Sequence, residues 1–154
     1  MNQFNPPQHL PGLTNFARVS DDLYRGAEPT QEGLAYLATI GVKTVLSLCE
    51  FYDLDWFDPG HVRSLGMGYV SRPCNPWHPE LEDVSWFLRI LTTTLLPVYI
   101  HCRQGCDRTG LLIACYRISV QGWPKKDAIA ELRAFGYHES TYPQILKFIE
   151  EYQP

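Results

Sequence analysis

The chain has 154 residues, 45% of them hydrophobic and 19% charged, with a formal net charge of −4. That length fits one domain able to bury a core, and the composition excludes a disordered chain. The acidic balance excludes a polyanion-coating surface, so nucleic acid is not an expected partner, and no run of 18 apolar residues exists to span a membrane.

Residues 1–12 carry Pro6, Pro7 and Pro11 with little periodicity and read as an extended arm. They lack the basic patch and apolar stretch of a secretory signal. Residues 13–154 read as one layered α/β domain. "FARVSDDLYRGAEP" predicts two short strands around a polar turn at Ser20–Asp22. Thr30 is placed to cap a helix in which Leu34, Leu37 and Ala38 share a face and which Gly41 stops. "KTVLSL" (Lys43–Leu48) predicts a strand by its β-branched alternation. "FYDLDWFDPGHVRSLG" predicts a loop and short helix, and "MGYVSR" another strand. Val84, Phe87, Leu88 and Leu91 mark an amphipathic helix, and Pro97–His101 a short strand. From Arg108 to about Val120 the sequence is apolar on nearly all sides, as in a central buried helix. Pro124 and Gly136 punctuate the next helix, and Thr141 is expected to cap a last one carrying Ile145, Phe148, Ile149 and Tyr152.

The five cysteines, Cys49, Cys74, Cys102, Cys106 and Cys115, form an odd and scattered set. They read as free thiols of a reducing compartment, with the cytoplasm as the expected location. Two of them fall in "VYIHCRQGCDRTGLLIA", where a strand gives way to a helix. Backbone N–H groups of such a turn, with the helix N-terminus, form an anion cradle. The same field favours a thiolate at Cys102. Arg108 can grip two phosphoryl oxygens with its planar fork. Gly105 lets the backbone approach the anion, and Thr109 can hydrogen-bond the sulfur. The combination predicts covalent phosphoryl transfer through a phosphocysteine, with no metal or other cofactor. Competing readings fit less well. Cys102 and Cys106 lack the second close pair of a zinc site. Gly105 and Gly110 have a nucleotide P-loop's separation, but Leu111 and Leu112 follow instead of Lys-Ser/Thr. Cys106 either lines the loop or pairs with an oxidised Cys102.

His101-Cys102-x5-Arg108-Thr109-Gly110 resembles the signature of the cysteine-dependent protein tyrosine phosphatases, most of all their small dual-specificity branch. "NFARVSDDLYRGAEPTQEGLAYLATIGVKTVLSL" is similar to the opening strands and first helix of compact bacterial and plant/fungal atypical members. The resemblance implies a central mixed four- to five-stranded sheet flanked by helices, and a catalytic domain over 13–154. It implies Cys102 as nucleophile, Arg108 as clamp, and Arg103, Gln104, Gly105, Cys106, Asp107 and Arg108 as the phosphate-binding loop. His101 and Thr109 would support the thiolate. The family's general acid is an Asp on a loop before the nucleophile, but no Asp occurs between Tyr69 and Glu82. Asp107 stands first as a replacement, since "DRT" is similar to the loop ending of myotubularin-type lipid phosphatases. Glu80 follows, then Asp83, which also suits the first turn of a helix.

Phosphorylated proteins are the first substrate class expected, with Trp56, Phe57 and Trp77 as an aromatic rim for a phenyl ring. Inositol polyphosphates, pyrophosphates or phosphoinositides come second, with Arg103 in the loop and Arg25, Lys43, Arg63 and Arg72 as further cations. A non-catalytic phosphate-binding module and a thiol redox or arsenate-reducing enzyme complete the alternatives.

Overall fold

The computed structural model describes residues 2–50 and 58–154. Of the aromatic rim, Trp56 and Phe57 lie outside the described residues. Six strands form one mixed sheet in the order β1-β2-β3-β6-β4-β5. They are β1 (Gln8–Leu10), β2 (Leu13–Ser20), β3 (Leu23–Gly26), β4 (Thr44–Ser47), β5 (Gly68–Ser71) and β6 (Val98–His101). The six helices are α1 (Gln31–Thr39), α2 (Pro59–Ser64), α3 (Leu81–Ile90), α4 (Arg108–Gln121), α5 (Lys125–Ala134) and α6 (Pro143–Glu151).

The expected element order holds, with two corrections. The sheet has six strands rather than four or five, because Gln8–Leu10 pairs antiparallel with β2 (Gln8↔Phe16, Leu10↔Leu13). A three-residue edge strand between prolines carries no readable alternation, yet an edge is where a sheet tolerates proline nearby. At α6 the cap position belongs to Tyr142 and not Thr141, since Pro143 takes the first helical turn, where a missing N–H costs nothing. Thr30 caps α1 as expected, its hydroxyl accepting from the Gly33 N–H at 3.3 Å.

Strand β6 lies between β3 and β4 and runs parallel to both. All four of its residues are buried. Side chains of the central strands alternate between two cores. Val45 and Tyr99 join Leu34, Leu37 and Val62 of α1 and α2 on one face. Leu46, Val98 and Ile100 join Phe87, Leu112, Leu132 and Ile145 of the other four helices. The period of two thus assigns each strand residue to a layer. Covered on both faces, β6 must end at the sheet's carboxyl edge, where open α/β sheets place their ligands. His101 ends that strand, in register with Gly26 and Ser47. Among the described residues, no helix is long and apolar enough to cross a membrane.

Candidate active site

Residues 102–107 connect β6 to α4, and Arg108 is the first residue of that helix. The loop floors a cleft of about 180 Å³ lined by Pro76, Cys102, Arg103, Gln104, Asp107, Arg108 and Tyr142. That is smaller than the roughly 300–1,000 Å³ of drug-sized sites and suits a compact anionic group.

The loop's shape follows from where its carbonyls go. Arg103 O accepts the Glu28 N–H at 3.0 Å, Gln104 O accepts Asn15 Nδ2 at 3.2 Å, and Gly105 O accepts Arg25 Nη2 at 3.2 Å. Three successive carbonyls are therefore held from the protein side. In a trans peptide the N–H points opposite to its C=O, so the amides of Gln104, Gly105 and Cys106 turn the other way, toward the cleft. Together with the N-terminal end of α4 they make a cradle of positive dipole ends. Asn15 itself holds a positive φ of 58°, a conformation asparagine tolerates better than most residues. Gly105, at φ 77°, is required twice over. A Cβ there would lie 2.5 Å from the Gly26 carbonyl carbon and 2.8 Å from the Ala27 nitrogen.

Cys102 is 2% exposed and borders the cleft. Arg108 is buried beside it, its Nη1 donating to Leu48 O at 3.4 Å at the end of β4. Thr109 is fully buried, and its Oγ1 has no hydrogen-bond partner among the described residues. His101 is fully buried, with Nδ1 donating to Cys102 O at 3.0 Å. Burial pushes its pKa down to about 4, so the imidazole is neutral at physiological pH. That places it as a partner of the Cys102 backbone and leaves it no charge to offer the sulfur.

Cys106 borders a different groove, with Asn15, Phe135 and Gly136. Its sulfur is 3.6 Å from Asn15 Nδ2, and burial pushes its thiol up to about 12. All five cysteines are free. Of the four outlying cations expected near the cleft, only Arg25 touches the loop, and it does so from behind. Lys43 lies at the opposite end of the sheet, its N–H bonded to Pro97 O. Arg63 sits on α2, and Arg72 pairs with Asp83 at 3.3 Å.

The three carboxyls separate cleanly. Asp107 lines the cleft, and both its oxygens are engaged: Oδ1 accepts the His138 N–H at 2.8 Å and Oδ2 faces His138 Nδ1 at 2.9 Å. Glu80 and Asp83 form a capping box at the start of α3. They line a neighbouring polar cavity with Arg72 and His78, not the cleft. Trp77 is half-exposed and packs edge-on to Tyr142, ring centroids 5.2 Å apart. Tyr142, Asn15, His138 and Arg25's inner role were missed from the sequence. Arg25 was expected among the cations near the cleft, and what the sequence did not show is that it reaches the loop from behind.

A family model described as "Tyrosine phosphatase family" matches residues 11–154, and the chain belongs to that family. It is 36% identical over 128 residues to the dual specificity protein phosphatase TpbA of Pseudomonas aeruginosa, covering 80% of this chain and 55% of the relative. It is 28% identical over 123 residues to the inositol diphosphatase DSP3 of Arabidopsis thaliana, covering 77% and 60%. The chain thus spans little more than half the length of these relatives. The crystal structure of P. aeruginosa TpbA in complex with pTyr superposes with a TM-score of 0.80 at 30% identity, over 95% of this chain and 89% of that one. The core catalytic domain of the PP-IP phosphatase SIW14 from S. cerevisiae shares the fold, with a TM-score of 0.78 at 24% identity, over 98% and 89%.

Proposed function

We propose that this chain is a phosphoric monoester hydrolase working through a phosphocysteine, with residues 13–154 as the catalytic unit and 1–12 as an arm that edges the sheet. Its preferred substrates are aryl phosphates of the phosphotyrosine kind. The observation that carries this reading is the loop itself: Cys102 opens it, its carbonyls turn away from the cleft, and Arg108 lines the same cleft at the start of a buried helix.

The Cys102 thiolate attacks phosphorus opposite the ester oxygen, and the S–P bond forms as the P–O bond breaks. Loop amides and the Arg108 fork bind the three equatorial oxygens as charge spreads over them. The leaving oxygen takes a proton from Asp107, the one carboxyl lining the cleft among the described residues. Water then attacks phosphorus, the S–P bond breaks, and Asp107 recovers a proton from that water. Thr109 Oγ1 donates to the departing thiolate. Tyr142, backed by Trp77, gives the cleft an aromatic wall for a phenyl ring. TpbA's complex with pTyr supports this substrate class.

A second reading, an inositol polyphosphate or diphosphate phosphatase, is favoured by the likeness to DSP3 and by Arg103 at the cleft. Against it, the cleft presents two arginines and no lysine among the described residues. The test is kcat/KM for phosphotyrosine and phosphoserine peptides beside inositol polyphosphates. A phosphotyrosine peptide is expected to lead by about tenfold or more, a difference of about 1.4 kcal/mol in transition-state binding. A lead for the inositol compounds would transfer the assignment to the second reading.

Asp107→Asn separates proton donation from anchoring. Asparagine can still accept from the His138 N–H but cannot supply a proton. Turnover of an alkyl phosphate should fall by about 10²-fold or more, and that of p-nitrophenyl phosphate, whose leaving group needs no proton, by much less. Equal losses on both would confine Asp107 to holding the segment at His138.

A further inference from the structure

A buried cation that the chemistry above does not use lies directly behind the loop. Arg25, on β3, has no solvent exposure. Its Nη2 donates to Gly105 O at 3.2 Å, its Cζ sits 3.7 Å from the Phe135 ring centroid, and its Nη1 lies 3.5 Å from Glu131 Oε2. Nε and Nη1 have no hydrogen-bond partner among the described residues. A buried arginine so incompletely satisfied costs stability unless something offsets its charge.

Glu131 does not offset it alone, because Arg117 holds that carboxylate in a two-pronged grip, Nε to Oε1 at 2.8 Å and Nη2 to Oε2 at 2.9 Å. The remaining contacts of Arg117 are neutral: Val19 O, Gln121 Oε1 and the Trp123 ring. Among the described residues, two guanidinium groups therefore share one carboxylate, which leaves this cluster with one positive charge in excess. The groups acting electrostatically on Arg25 are Glu131, Cys102, Arg117 and Cys106. Burial lowers Arg25 to about 10, which still leaves it a cation at neutral pH. Cys106 is pushed up to about 12 and is an uncharged thiol, while His101, pushed down to about 4, is uncharged too. Among the described residues, the other group acting on Arg25 that can carry a negative charge is Cys102, on the cleft side of the loop.

We propose that Arg25 is a positioning residue for the Cys102 site, whose surplus buried charge favours an anion in the loop and whose hydrogen bond turns the Gly105 carbonyl away from the cleft. The anion is the Cys102 thiolate or an oxyanion bound over it; the phosphocysteine reading supplies its identity, and the inference rests on that reading only to this extent. A neutral buried side chain in place of Arg25 would fill space but supply neither the field nor the donor.

The test compares the rates at which Cys102 is alkylated by iodoacetate, an anion, and by iodoacetamide, its neutral counterpart, with the modified peptide identified by mass spectrometry. Loss of the cation lowers the iodoacetate rate more than the iodoacetamide rate, and the charge-conserving Arg25→Lys separates that loss from a displaced loop. Arg25→Met should lower the iodoacetate-to-iodoacetamide ratio by about tenfold and raise the Ki of inorganic phosphate by a similar factor. Arg25→Lys, which keeps the charge but not the fork, should recover most of the ratio. Glu131→Gln removes the shared carboxylate and should raise the ratio, which keeps the question answerable if Arg25→Met does not fold. A folded Arg25→Met protein with the wild-type ratio, or a Glu131→Gln protein whose ratio does not rise, overturns the proposal. Alkylation requires no turnover, so a protein that failed to hydrolyse any phosphomonoester would still report on Arg25, and the two failures stay distinct.

Discussion

The Cys102→Ser protein is expected to fold, to bind phosphate, and to lose hydrolysis of p-nitrophenyl phosphate in the presence of EDTA by about 10⁴-fold or more. The substitution exchanges one atom at a position 2% exposed, so packing changes little. What changes is the nucleophile. A serine hydroxyl ionises far less readily than a thiol, and His101, hydrogen-bonded to Cys102 O with its pKa pushed down to about 4 by burial, is too weak a base to help it. The anion cradle is built from backbone amides and Arg108, so phosphate affinity should survive while kcat collapses. Wild-type hydrolysis with EDTA present removes the non-catalytic binding module and any metal-dependent route. Turnover that persists in Cys102→Ser removes Cys102 from the nucleophile's role. The measurements are kcat, and phosphate affinity by calorimetry.

Gly105→Ala should be nearly as damaging for a different reason. A non-glycine residue at φ 77° costs roughly 1–2 kcal/mol by itself. The added Cβ would also sit 2.5 Å from the Gly26 carbonyl carbon, 2.6 Å from its oxygen and 2.8 Å from Ala27 N. These are backbone atoms at the end of β3 and just after it, and a flexible side chain's ability to step aside is not available. Gly26 is paired with His101 across the sheet, and Ala27 N–H is bonded to Thr14 O. The loop must move instead, and its inward amides move with it. The expected result is a loss of about 10²-fold or more in kcat/KM, with about 2–4 kcal/mol of stability lost, read as a lowered Tm. Gly122→Ala is the control. Its φ of 69° is equally left-handed, but nothing lies within 4 Å of the new Cβ. It should cost only the backbone strain and leave kcat/KM unchanged. If Gly105→Ala behaves like Gly122→Ala, the loop does not hold its anion in the way described.

Local sequence carried the order of elements and the core of the site. Short β-branched runs, the Thr30 cap, the i, i+3, i+4, i+7 spacing in α3 and the glycine stops are all local physics, and each appears where its residues placed it. Cys102, Gly105 and Arg108 likewise fall within one strand–loop–helix turn between β6 and α4, which is where the proposed nucleophile, permissive glycine and clamp would have to lie to act together. Gln8–Leu10 was not legible, since three residues between prolines become a strand only when β2 is alongside them.

What the sequence by itself determined is the loop proposed to react, whose parts depend on spacing along the backbone. What only the tertiary structure decided is everything that holds that loop from outside. Asn15, Arg25 and His138 are 89, 80 and 31 residues from the loop groups they bond. The surplus charge behind the cradle likewise exists only because Arg25 and Arg117, from β3 and α4, meet over one carboxylate of α5. Hydrogen bonds and charges act through distance in space, and a chain of this length brings such groups together only by folding.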